Sequence, residues 1–95
     1  MRIDQVRAKR EEILRVAESH GAYSIRVFGS VARGEADSES DVDFVVDMER
    51  DRDLFEFANL RADLEELLRC SVDLVELDGL KDSMRSRVTS EAVHL

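Results

Sequence analysis

The chain has 95 residues, of which 43% are hydrophobic and 38% are charged, and its formal net charge at pH 7 is −8. This length predicts one domain, residues 1–95, with no room for a second substrate-binding unit, and the composition is that of a globular and not a disordered chain. The acidic balance argues against a nucleic-acid template, because binding to a phosphate backbone depends on Lys and Arg.

The features that report on cellular location indicate the cytoplasm. No apolar run approaches membrane-spanning length, and the first residues, Met1 to Asp4, lack a signal-peptide pattern. The single cysteine, Cys70, cannot form an internal disulfide, which fits a reducing compartment. We therefore expect a cytoplasmic protein with no membrane partner.

A helix is predicted over residues 4–19. Asp4 can cap its start and Gly21 ends it. The apolar residues that recur near the helical period are Ile3, Val6, Ile13, Leu14 and Ala17. His20 falls at the C-terminal end, and interaction with the helix dipole is favoured there over a role as catalytic base.

Two strands follow, separated by a polar loop. The first covers residues 23–28, where Tyr23, Ile25 and Val27 alternate with Ser24 and Arg26. The second covers residues 42–48. In it, one side of the sheet receives Val42, Phe44, Val46 and Met48, and the other receives Asp41, Asp43, Val45 and Asp47.

The clearest helix is predicted over residues 53–69, after a charged loop, and Asp53 is its expected N-cap. Its apolar stripe consists of Leu54, Phe57, Leu60 or Arg61, Leu64, Leu67 and Leu68. Phe55 lies off this stripe. We interpret it as a packed neighbour, with contact to a partner protein as the alternative.

A third strand is predicted over residues 71–77, with Asp73 in its interior. Aspartate is poorly suited to a strand and costly to bury without a partner. A metal ion shared with Asp41 and Asp43 would supply that partner, and the alternative is the exposed face of an edge strand. A last helix over residues 80–90 completes the order α-β-α-β-α-β-α. This order predicts an α/β domain with a small three-stranded sheet flanked by helices.

The loop between the first two strands contains the residues that suggest chemistry. Gly29 allows a backbone to approach a ligand closely, and Ser30 is a favourable N-cap for a helical turn whose free N–H groups would bind an anion. Asp41 and Asp43 leave the same face of a strand, where two carboxylates repel each other unless a cation lies between them. Oxygen ligands of this kind favour Mg²⁺. A phosphate site beside a magnesium site is what phosphoryl transfer requires.

Two neighbouring features leave alternatives open. Arg33 lies in the same turn and could contact a phosphate, or it could pair with Glu35 or Asp37. A second Asp-X-Asp, formed by Asp51 and Asp53, does not follow a Gly-Ser turn, and we interpret it as loop and helix cap.

The loop resembles the motif of the smallest nucleotidyltransferases of the polymerase-β-like superfamily, the MNT type. Their pattern is G-S-x-A-R-G-x5-S-D-x-D-x-x-V. Every fixed position is matched, by Gly29, Ser30, Ala32, Arg33, Gly34, Ser40, Asp41, Asp43 and Val46. The resemblance implies a mixed sheet, and it places a third carboxylate on the strand after the long helix, where Asp73 lies.

The resemblance also implies an activity, namely transfer of AMP from ATP to a hydroxyl with release of pyrophosphate. Gly29 and Ser30 would then hold the triphosphate. Asp41 and Asp43 would bind two Mg²⁺ ions, and Asp73 would complete the shell of the catalytic ion and help to deprotonate the attacking hydroxyl.

Proteins of the MNT type are usually encoded beside a HEPN-domain protein, a helical ribonuclease toxin, and act as its antitoxin. The resemblance therefore implies a HEPN toxin as partner in a possible hetero-oligomer, with a tyrosine of the toxin as acceptor. Two alternatives stay open: an antitoxin that neutralises its partner by binding alone, with a vestigial metal site, and a nucleotidyltransferase that modifies a small molecule.

Overall fold

The computed structural model describes residues 1–35 and 41–95, which form helices and strands in nearly the predicted order. They are α1 (Ile3–Ala8), α2 (Arg10–Ser19), β1 (Ala22–Phe28), α3 (Gly29–Arg33), β2 (Val42–Met48), α4 (Leu54–Leu68), β3 (Val72–Glu76), a short 3-10 turn (Leu77–Gly79), α5 (Asp82–Glu91) and β4 (Val93–His94). The motif position Ser40, and Asp37 as a partner for Arg33, lie outside the described residues.

Within the described residues, four strands form a mixed sheet in the order β3-β2-β1-β4, which confirms the predicted α/β class. β1 is antiparallel to β2 and β4, whereas β2 and β3 are parallel. The predicted count of three strands is wrong, because Val93 and His94 pair with Val27 and Arg26 as a fourth strand. Two residues are too few to show a strand periodicity, so this pairing is visible only in the folded chain.

The predicted helix over residues 4–19 is two helices, α1 and α2, which meet at Lys9. This residue has φ −104° and ψ 16°, and it forms both the end of α1 and the start of α2. Its Nζ donates to the carbonyl oxygen of Leu67 at 3.3 Å, just before the end of α4. No glycine or proline lies at this break, which is why the periodicity did not predict it.

The core lies where α2 and α4 pack together against one face of the sheet. The prediction for β2 is confirmed in bounds and orientation, because Val42, Phe44, Val46 and Met48 are all buried. The other large, fully buried side chains include Val6, Ile13, Val27, Val31, Leu60, Leu64 and Val72. In the part of the chain that the structure describes, no helix has the length and apolar character needed to cross a membrane.

Three large apolar side chains are mostly exposed, and for two of them, Leu54 and Phe55, the sequence predicted packing instead. A bulge between Ala22 and Ser24 turns Tyr23 outward, to 68% exposure. Leu54 and Phe55, in the first turn of α4, are 83% and 79% exposed. Asp53 caps α4 as predicted, accepting from the N–H of Glu56 at 3.0 Å, so the helix begins before it reaches the core. The packing interpretation of Phe55 is therefore wrong.

His20 joins α2 to α4. It is the C-cap residue of α2, as predicted, and its Nδ1 and Nε2 lie 2.9 Å from Glu56 Oε2 and 2.6 Å from Asp63 Oδ2. Burial by itself lowers the pKa of this imidazole, but the hydrogen bonds to the two carboxylates and their negative charges outweigh it. The pKa of His20 is consequently raised above 6.5.

Candidate active site

The junction of β1 and α3 brings the backbone against a carboxylate. Gly29 has φ 73°, a left-handed conformation that residues with a Cβ rarely adopt, and it is the first residue of α3. A Cβ at this position would overlap Oδ2 of Asp43 and lie 3.1 Å from its Cγ. Glycine is thus required both by the backbone conformation and by the space beside Asp43.

Ser30 follows within the first turn of α3 and is half-buried. The prediction that it caps this turn is wrong, because the N-cap position belongs to Phe28, which is extended and makes no side-chain cap. Phe28 is also the register partner of Asp43 across β1 and β2. The helix α3 therefore begins directly after the last paired residue of β1.

Asp43 and Asp73 are register partners across the parallel strands β2 and β3. Their neighbours Phe44 and Leu74 are buried in the core, so both carboxylates leave the opposite face of the sheet. Asp41 precedes β2 and is exposed. Burial, followed by the negative charges of Asp73 and Asp41, raises the pKa of Asp43, and the positive charge of Arg33 opposes this. The three predicted aspartates thus belong to one electrostatic neighbourhood beside Gly29.

The nucleotidyltransferase domain family matches residues 9–95, almost the whole chain. The chain belongs to this family of nucleotidyltransferases.

Known nucleotidyltransferases are similar to this chain in sequence and in structure. The nucleotidyltransferase is 44% identical over 78 residues to the protein adenylyltransferase MntA of Thermococcus cleftensis, covering 82% of this chain and 79% of the relative. A solved minimal nucleotidyltransferase superposes with a TM-score of 0.91 at 45% identity, covering 100% of this chain and 97% of the other. A solved complex of a tri-AMPylated HEPN toxin from Shewanella oneidensis with an MNT antitoxin matches with a TM-score of 0.71, covering 93% and 69%, and its 20% identity shows the fold alone.

The donor set of the nucleotidyltransferase fits a hard divalent cation. Three neighbouring carboxylates, of which Asp43 is partly buried, offer oxygen ligands and a local excess of negative charge that a cation would offset. Across residues 1–35 and 41–95, no group of three or more His, Cys, Asp or Glu side chains is arranged in metal-binding geometry. The assignment of Mg²⁺ to Asp41, Asp43 and Asp73 therefore stays a prediction.

Two side chains of α4, Arg61 and Glu65, hydrogen-bond to the start of the strand that contains Asp73, and the sequence did not predict these contacts. Arg61 Nε donates to the carbonyl oxygen of Val72 at 3.0 Å, and Glu65 Oε2 accepts from the N–H of Val72 at 3.1 Å. Val72 immediately precedes Asp73 at the sheet edge, so these two hydrogen bonds stabilise the start of β3. The signal available in the sequence was an Arg and a Glu four residues apart, on a helix that precedes an edge strand.

The sequence allowed either a phosphate contact or an ion pair for Arg33, and the structure shows ion pairs. Its Nε lies 3.0 Å from Glu35 Oε2, and its Nη1 lies 3.5 Å from Glu91 Oε2. The second pair joins α3 to α5. The Arg33 side chain is 43% exposed, so it is still accessible to an incoming anion.

Proposed function

We propose that residues 1–95 act as one nucleotidyltransferase domain that transfers AMP from ATP to a hydroxyl of a partner protein. The single observation that best supports this is the register pair Asp43–Asp73 beside Gly29, because it brings the third predicted carboxylate next to the Gly-Ser turn and the Asp-X-Asp of the motif. The relative from Thermococcus cleftensis is named a protein adenylyltransferase, and its 44% identity supports the same reaction here.

In the proposed reaction the acceptor oxygen bonds to the α-phosphorus of ATP, the bond to the β-phosphate oxygen breaks, and pyrophosphate leaves. Gly29 and Ser30 would hold the triphosphate by backbone and hydroxyl donors. Two Mg²⁺ ions held by Asp41, Asp43 and Asp73 would supply charge neutralisation along the triphosphate. A carboxylate oxygen of Asp73 would accept the proton of the acceptor hydroxyl.

The proposed partner is a HEPN toxin, with a tyrosine as acceptor. The solved complex with this fold contains an AMPylated HEPN toxin and an MNT antitoxin, which supports a hetero-oligomer of the same kind. A net charge of −8 suits a basic partner better than it suits RNA. A cytoplasmic location is consistent with the single, unpaired Cys70.

The test is a mass measurement on the partner. Incubated with ATP, Mg²⁺ and the HEPN protein encoded beside it, this chain should add about 329 Da per AMP to that protein. The increase should be absent when EDTA is added and when Asp41→Asn replaces the natural chain. An unmodified partner in the complete reaction would contradict the proposal.

A binding antitoxin is the second candidate, and one observation favours it. Leu54 and Phe55 are adjacent and largely exposed at the start of α4, where they offer an apolar contact surface. The Asp41→Asn variant separates the two functions. If it silences the toxin at equal concentration without adding AMP, neutralisation is by binding. If it leaves the toxin active, AMP transfer is the neutralising step.

A further inference from the structure

A small pocket lies between α3 and α5, next to the candidate active site. Its volume is about 150 Å³, and Gly29 and Phe28 line one side of it. Phe28 is the register partner of Asp43, and Gly29 lies directly beside the carboxylate of Asp43. The pocket therefore adjoins the residues proposed to hold the triphosphate and the metal ions.

The walls of this pocket are apolar. Phe28 contributes an aromatic ring, Met84 a half-exposed thioether chain, and Val88 a side chain that is only 4% exposed. Aromatic and thioether surfaces pack well against a planar ring system. The volume lies below the roughly 300–1,000 Å³ typical of pockets for complete small molecules, so it suits one ring system of a larger ligand.

The rim of the pocket is charged and offers both donors and acceptors. Glu91 lies 3.5 Å from Arg33 Nη1 and 3.6 Å from Arg87 Nε, so a carboxylate and two guanidinium groups meet at one edge. Arg87 is 75% exposed, which leaves its remaining N–H groups accessible to a ligand. The rim thus matches a flat ring whose edge has both hydrogen-bond donors and acceptors.

We propose that this pocket holds the nucleobase of the bound nucleoside triphosphate, an inference that rests on the proposed function. A nucleobase has apolar faces for Phe28 and Met84, and polar groups around its edge for the charged rim. A tyrosyl acceptor ring is a poorer match, because its one polar group, the hydroxyl, must lie at the reacting phosphorus and cannot also reach the rim. A phosphate is a poorer match still, since it has no apolar surface to pack against Phe28, Met84 and Val88.

Equilibrium binding by titration calorimetry tests this assignment, with ATP and inorganic tripolyphosphate as the two probes in the presence of Mg²⁺. The pocket variants are Arg87→Gln and Met84→Ala, and the matched control is Arg85→Gln, which lies on the same helix outside the pocket. The natural chain should bind ATP more tightly than tripolyphosphate. Each pocket variant should weaken ATP binding about tenfold, leave tripolyphosphate within about twofold, and show less discrimination between ATP and CTP.

Two results would overturn the assignment. An equal loss of ATP and tripolyphosphate affinity would place a phosphate at Arg87. Unchanged ATP affinity in both variants, whether or not the KM for the acceptor protein rises, would place the nucleobase elsewhere. Because Arg87 is an exposed residue and Met84 is half exposed, a thermal melt should confirm that both variants fold.

AMP transfer by the natural chain and by Asp43→Asn is a separate measurement. Base-dependent binding without any transfer would support the pocket and contradict the proposed reaction. AMP transfer together with base-independent binding would support the proposed reaction and contradict the assignment of the nucleobase to this pocket.

Discussion

Gly29 and Asp43 lie against each other across the junction of β1 and β2, and no side chain fits at position 29 without displacing the carboxylate. The left-handed φ of 73° adds a second reason for glycine. This contact links the Gly-Ser turn of the motif to its Asp-X-Asp, which are separated by a ten-residue stretch of sequence. A variant at position 29 therefore tests the site geometry directly.

Gly29→Ala should reduce AMP transfer by at least about 100-fold, because its methyl group moves the Asp43 carboxylate away from its position. Gly34→Ala is the matched control, since Gly34 has nearly the same φ, 75°, and a Cβ there would meet no atom of residues 1–35 or 41–95 within 4 Å. In both variants, backbone strain alone should reduce the free energy of unfolding by about 1 kcal/mol. Transfer rates and chemical denaturation curves measure the two effects. Equal activity of the two variants would show that contact with Asp43 has no catalytic consequence.

Asp43→Asn should abolish AMP transfer, whereas Asp51→Asn, in the exposed loop of the second Asp-X-Asp, should leave it nearly intact. Removing one of three neighbouring negative charges also relieves repulsion, so Asp43→Asn should unfold at no lower denaturant concentration than the natural chain without Mg²⁺. The measurements are mass spectrometry of the partner and urea unfolding. A similar loss of transfer in both variants would mean that position in the motif does not matter.

Glu65→Ala should weaken the hold on β3, because the N–H of Val72 loses its carboxylate acceptor. We expect about 1 kcal/mol less stability, about tenfold slower transfer, and a higher Mg²⁺ concentration at half-maximal rate, since Asp73 follows Val72 directly. Glu66→Ala, at the adjacent exposed position of α4, is the control and should change none of these. Slower transfer with an unchanged Mg²⁺ requirement would show that the hydrogen bond from Val72 to Glu65 has a structural role only.

The contacts of His20 predict a pH-dependent stability. Because the pKa of His20 is raised in the folded protein, its contribution is fully present below about pH 6.5 and is lost as the pH rises through the raised pKa. His20→Gln should reduce the free energy of unfolding by about 1 kcal/mol near pH 6, which lowers the Tm by about 4–8 °C. The reduction should be smaller near pH 8. His94→Gln, at the exposed second histidine, should not alter this profile. A constant difference in Tm between the natural chain and His20→Gln from about pH 6 to about pH 8 would contradict this linkage.

Local patterns were sufficient for much of this protein. Alternation from Val42 to Met48 predicted β2 and its buried face, and Asp53 was correctly expected to cap α4. The Gly-Ser and Asp-X-Asp positions were identifiable because the number of residues between them matches the motif. Each of these features depends on residues within a few positions of one another, where backbone periodicity and capping chemistry operate directly.

The remaining features depend on contacts between residues far apart in sequence. The pairing of Asp43 with Asp73 needs a parallel register between β2 and β3, and β4 exists only because the chain end folds back onto β1. Leu54 and Phe55 are exposed because α4 begins before it reaches the core. Strand register, helix position and the charge around a carboxylate arise from packing, and no single stretch of sequence encodes the packing partner. For this reason the sequence determined which residues are candidates for the site, and the tertiary structure decided that Asp43 and Asp73 lie side by side on one face of the sheet, next to Gly29.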